Sequence, residues 1–220
     1  MDQKIKKWQK QIKHLIDEIL DANERQYVFE VERKIIKNNP ALSENNIFLE
    51  YLFRNYAESQ VLAILRIVDK DGDTGSFVAL LNDLLKNYEE IIKSGKLNQK
   101  FINDIDNSSI DSHLKDHFKK EREDNKISLE KINSDKFDLL KETAKIKIYR
   151  DKWVAHIDRK RVRVVIEFDE LNRIINFINS KIQEYYTFLT NSSISLLYTY
   201  GLESDKEIFR IAWLTPSDEK

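Results

Sequence analysis

Arg150, Asp151 and His156 are the residues of this chain whose types and spacing best suit catalysis. Arginine carries a permanent positive charge on a planar fork that matches phosphate oxygens, and histidine titrates near neutral pH. The segment leading into them reads as a helix from about Lys136 to His156, because Leu139, Thr143, Ile146, Trp153 and Ile157 recur at steps of three, four and seven. Arg150 falls in the same stripe, and a guanidinium there needs an anion to meet it. His156 follows about a third of a turn away, at about 100° per residue.

Between Lys145 and Arg163 stand eight basic residues, Lys145, Lys147, Arg150, Lys152, Arg159, Lys160, Arg161 and Arg163, against only Asp151 and Asp158. A local excess of +6 in a chain of net charge −1 is the footprint expected of a surface that follows phosphates. Lys147, Lys152, Arg159, Lys160, Arg161 and Arg163 are therefore the candidate RNA contacts, with Trp153 as a candidate base-stacking surface. RNA brings its own nucleophile, the 2′-hydroxyl. Its cleavage needs a base for that proton, an acid for the departing 5′-oxygen and positive charge for the transition state. His156 suits proton transfer, Arg150 suits the charge, and Asp151 is placed to orient either one. An ordinary account competes with this one: a salt-bridged arginine with its stem on the core, and a histidine favoured by the helix dipole.

An arginine, a polar residue and then a histidine near a helix end resemble the signature of the HEPN superfamily of helical domains. The fuller string YRDKWVAHID at 149–158, together with LAILRIVDKDGDTGSFVALL at 62–81, resembles the AbiU-type abortive-infection branch. The resemblance implies a metal-independent endoribonuclease of a toxin–antitoxin or phage-defence system, leaving a cyclic phosphate. It also implies a homodimer with the motif at the interface, and allows an antitoxin partner. An aspartate at the end of the earlier helix, here Asp69, belongs to the resembling pattern as well. A HEPN module that binds nucleotide or RNA without cleaving it, and a purely structural helical protein, are the competing readings.

Two further constellations fail on spacing or composition. His113 and His117 stand four apart, as two metal ligands on one helix face do, but Leu114 occupies the place of a catalytic glutamate and the surrounding stretch is polar. Asp69, Asp71 and Asp73 mimic an EF-hand start, but Thr74 replaces the glycine and Leu80 the final glutamate. Neither a metal nor a cofactor is expected.

The elements that must position Arg150 follow from composition and period. The chain has 220 residues, 41% hydrophobic and 34% charged, with four glycines, two prolines and no cysteine. This is a helical composition without disulfides or thiolate chemistry. One long helix or two abutting ones are expected over 3–37, with Ile5, Trp8, Ile12, Leu15, Ile19 and Ala22 as an apolar stripe, a second helix from a Ser43 cap through Val68, and a third from a Ser76 cap through Lys93. The wide apolar face of the second suggests a central position. Residues 94–110 read as a loop with short helical pieces, Asp111–Arg122 as a polar helix, and 123–133 as a charged stretch that bends or frays. A short extended segment is possible between Asp158 and Asp169. A final helix is expected from an Asp169 cap through about Leu197, with Leu171, Ile174, Ile175, Ile178, Ile182, Tyr185, Tyr186 and Leu189 as its apolar face. Trp8, Trp153 and Trp213 read mainly as packing anchors. The expected fold is all-α, an up-and-down bundle of about five helices, with one domain over 1–200 and a tail over 201–220. No apolar run reaches the roughly 20 residues needed to span a bilayer, and the N-terminus lacks an apolar signal core, so a cytoplasmic protein without membrane contact is expected.

Overall fold

The computed structural model describes residues 2–39, 47–70, 75–124, 127–151, 166–192 and 194, and among them it is all-α. Its helices are α1 (Asp2–Lys37), α2 (Ile47–Ile67), α3 (Phe77–Lys86), α4 (Lys96–Asp106), α5 (Ser112–Asp124), α6 (Leu129–Glu142), α7 (Ala144–Tyr149) and α8 (Phe168–Thr190). A π-helical turn over Tyr88–Lys93 joins α3 to α4.

The spine is the antiparallel pair α1 and α8, the most extensive helix contact in the fold. Ile5, Trp8, Ile12, Leu15, Ile19 and Ala22 of α1 face Leu171, Ile174, Ile175, Ile178, Ile182 and Leu189 of α8, and all are essentially inaccessible to solvent. Their spacing follows the helical repeat, which is why the stripe was readable in the sequence. Each leucine or isoleucine of this set, fully buried, stabilises the fold by about 1.5–3 kcal/mol before entropy is counted. Trp8 also donates from Nε1 to Asp83 at 2.9 Å, tying α1 to α3. Trp8 is the packing anchor expected of it; Trp153 and Trp213 lie outside the described residues.

The second helix is not central. Its C-terminal half is buried at Val61, Ala63, Ile64 and Ile67, but Ile47, Phe48 and Tyr51 in its first turns are exposed. The wide apolar face predicted more burial than α1, α7 and α8, its neighbours in the bundle, supply. Tyr56, Phe29, Phe53 and Phe168 make an aromatic cluster where α1, α2 and the start of α8 meet, with Phe29 and Tyr56 stacked 3.8 Å apart. Burial pushes the Tyr56 phenol up to about 12, so it stays protonated and donates to Asn172 at 2.6 Å.

Several boundaries differ from expectation. Ser76 caps α3 as predicted, accepting from the Ala79 amide at 3.1 Å, but α3 ends at Lys86 and the chain passes into the π-helical turn. Residues 96–106 form a regular helix, because Leu97, Phe101 and Ile105 repeat at four-residue steps and are buried. Gly95 precedes it at φ +76°, a conformation that favours glycine. The polar α5 appears where expected. The helix leading to Arg150 starts earlier than expected, at a Ser128 cap, and breaks at Thr143 before resuming as α7. Thr143 is buried and returns its hydroxyl to the Leu139 carbonyl at 2.8 Å, a bond that bends helices. Glu167, not Asp169, holds the N-cap position of α8; Asp169 pairs with Arg33 at 2.8 Å. The helix stops at Thr190, where Asn191 turns left-handed. The Ser43 cap, the tail and nearly all of the proposed extended segment lie outside the described residues.

Candidate functional site

Arg150, from one of the two strings singled out in the sequence, lines a cleft with Leu62, Arg66, Asp69 and Lys70 from the other. This cleft of about 450 Å³ opens between the end of α2 and the α6–α7 junction. Leu62, Leu65, Val68, Leu140 and Thr143 make its less polar wall, and Arg66, Asp69, Lys70, Lys147 and Arg150 bring charge to it. Four cations against one carboxylate give the lining a net charge of +3. The cleft therefore suits an anion with an apolar portion.

Each wall has a local cause. On the α2 side, the helix ends at Ile67, and Ser76 donates its hydroxyl to the Asp69 carbonyl at 2.5 Å while capping α3. One serine thus shapes both the turn and the next helix. Arg66 bridges to Glu18 of α1 at 3.3 Å, which fixes that wall to the spine. On the other side, Ile146 is buried and sets the rotation of α7, so Lys147 and Arg150 turn toward the cleft. Lys145 pairs with Glu170 at 2.5 Å and Arg173 with Glu142 at 2.6 Å, holding this region against α8.

Arg150 is not buried in an apolar stripe. Its side chain is 36% exposed, and its anion is the neighbouring Asp151. Nε and Nη2 both donate to one Asp151 oxygen, at 2.7 and 2.5 Å. That contact uses the side edge of the guanidinium, and among the described residues its end edge has no partner. Residues 150 and 151 also pass from α-helical to π-helical geometry, a local irregularity common at functional sites. Burial, with a contribution from Glu58, pushes the neighbouring Tyr149 phenol up, so it stays neutral.

Of the residues singled out for catalysis, the structure places Arg150 at the cleft and Asp151 on Arg150. Of the RNA contacts, it places Lys147 in the lining. His156, Lys152, Trp153, Arg159, Lys160, Arg161 and Arg163 lie outside the described residues. Sequence reasoning missed Arg66 and Lys70 as cleft cations. Their signal was present in the string around Asp69, but nothing in a linear reading joins that string to Arg150. His113 and His117 sit on the exposed α5, and no metal-binding cluster occurs among the described residues. No helix among the described residues is long and apolar enough to cross a membrane.

Neither the curated proteins nor the solved structures contain a detectable match to the chain. A family model does match: HEPN AbiU2, described as AbiU2, aligns with residues 5–207 and so takes in both walls of the cleft. The chain belongs to the HEPN AbiU2 family.

Proposed function

We propose that the protein is a metal-independent endoribonuclease of a bacterial toxin–antitoxin or phage-defence system, acting at the Arg150 cleft. The observation that carries this reading is the convergence of Lys147, Arg150, Arg66 and Lys70 on one anion-sized space beside the motif. In the proposed reaction, the free end edge of Arg150 holds the scissile phosphate. One His156 imidazole takes the 2′-hydroxyl proton, and the 2′-oxygen forms a bond to phosphorus. The bond from phosphorus to the 5′-oxygen breaks, and a second, protonated His156 supplies the proton to that oxygen. The products are a 2′,3′-cyclic phosphate and a 5′-hydroxyl, with no net change in protons.

One chain carries one His156, so this scheme calls for a two-fold pair. The face of α6 and α7 next to the cleft carries Phe137, 65% exposed, and Ile148, 47% exposed, on the side away from the core. Pairing two copies along that face would bring two motif helices together.

The test is cleavage of single-stranded RNA by the full chain in the presence of EDTA. Wild type should cleave, and Arg150→Ala and His156→Ala should each lose at least about 100-fold while staying folded. A strand with 2′-deoxy groups should resist. Cleavage that survives in both variants, or intact RNA with wild type, would overturn the reading.

A further inference from the structure

The first helix carries a charge pattern that its packing does not explain. Between Lys4 and Lys13 it has Lys4, Lys6, Lys7, Lys10 and Lys13, and no acid. Lys4 and Lys7 turn toward α3 and share Asp83, at 3.8 and 3.7 Å. Lys6, Lys10 and Lys13 are exposed and have no ion pair among the described residues. Spaced by four and then three, they form one stripe. Cations four and three apart on a helix repel. The arrangement therefore works against the helix that bears it and is relieved by an external anion.

The stripe is joined to the cleft. His14, exposed beside Lys10 and Lys13, lies against the turn before α3, with Cδ2 3.4 Å from where a β-carbon on Gly75 would stand. Gln11 donates to the Ser76 carbonyl at 2.9 Å, and Ser76 in turn holds the Asp69 carbonyl. One turn beyond His14, Glu18 meets Arg66 in the cleft wall. The stripe ends at the exposed Asp17, so an anion following it would have to leave α1 near His14, on the side of the cleft.

We infer that Lys6, Lys10 and Lys13 form a track for the phosphates of single-stranded RNA, leading a strand along α1 and past His14 into the Arg150 cleft. The inference rests on the ribonuclease reading for its ligand. The rise of about 1.5 Å per residue puts Lys6 and Lys10 about 6 Å apart along the axis, a separation suited to successive phosphates of an extended strand. Exposed neighbours of the stripe are Gln3, Lys7, His14 and Asp17, none of them apolar. That composition suits a polyanion in water and not insertion into a lipid surface.

The test is fluorescence anisotropy of a labelled 12-nucleotide 2′-O-methyl strand, which cannot be cleaved through its 2′-oxygen, titrated with the full chain at several salt concentrations. Each phosphate contact on a single strand contributes about 0.7 to the slope of log affinity against log salt. The triple variant Lys6→Gln, Lys10→Gln, Lys13→Gln should lower the slope by about 2, and affinity at 0.1 M salt by about 100-fold. Lys10→Gln alone should lower the slope by about 0.7, so the inference stays testable if the triple variant misfolds. The triple arginine variant should keep the wild-type slope. If the triple glutamine variant is folded and keeps the wild-type slope while Arg150→Ala weakens binding, the track is wrong and the cleft reading stands. If wild type does not bind the strand, both fail. If the glutamine variant loses only sedimentation with phosphatidylserine vesicles, the stripe faces lipid and the track is overturned.

Discussion

At the scale of single residues, Asp135 shows how this fold handles a buried charge. It is 4% exposed, and it accepts from Lys181 at 2.5 Å, Lys131 at 3.0 Å and the Tyr185 hydroxyl at 3.1 Å. Burial pushes its carboxyl up, but the hydrogen bonds and charges of Lys181 and Lys131 outweigh that and leave it below the usual carboxylate range. A carboxyl depressed in the folded state stabilises the fold above its unfolded value, about 3.9, and stops doing so as pH falls through the folded value. Asp135→Asn should therefore flatten the loss of stability below about pH 4. At pH 7 it should cost about 2–3 kcal/mol, a moderate figure because both lysines retain access to water. Urea midpoints between pH 2.5 and 7 check both parts; parallel pH profiles for wild type and variant would refute the assignment. Arg150 differs in kind from this cluster. Its partner is exposed and next in sequence, and among the described residues the other edge of its fork meets no acceptor.

At the scale of helices, the caps differ in how much they hold. Ser128 caps α6 by accepting from the Lys131 amide, also meets the exposed Glu130 carboxylate, and is itself exposed. Ser76 is buried, caps α3 and also holds the Asp69 carbonyl in the cleft wall. Ser76→Ala should cost about 2 kcal/mol and Ser128→Ala about 1, read as shifts in denaturation midpoint. Equal losses would mean that the Asp69 bond contributes nothing. Caps and long apolar stripes were the legible part of the fold: the α1 repeat, the Ser76 cap and the α8 face all stand where periodicity put them. The break at Thr143 was not legible, because Leu139, Thr143 and Ile146 keep helical spacing across it. The exposed start of α2 was misread, because apolar content does not say whether a neighbour is there to cover it. In the candidate site, Arg150 was found from local spacing. Arg66 and Lys70 were not, because only the packing of α2 against α7 brings them near it.

At the scale of the whole molecule, charge is separated: the chain is nearly neutral, yet its cations gather at the cleft and along the start of α1. If catalysis uses two copies paired along α6 and α7, Ile148→Glu should yield a monomer in sedimentation velocity and abolish RNA cleavage. The monomer should keep the wild-type far-UV circular dichroism spectrum, since Ile148 is 47% exposed in the single chain and its replacement leaves the core intact. A monomeric wild type that cleaves RNA would refute the pairing. The break at Thr143 then takes on a mechanical meaning. Arg150 stands seven residues beyond it, about 10 Å along the axis, so a tilt of about 20° there would carry the arginine about 3–4 Å sideways. In the proposed ribonuclease, Thr143 would be the fulcrum of a short lever with the Arg150 guanidinium at its tip, and a partner pressing on the outer side of α7 would adjust the aim of that group.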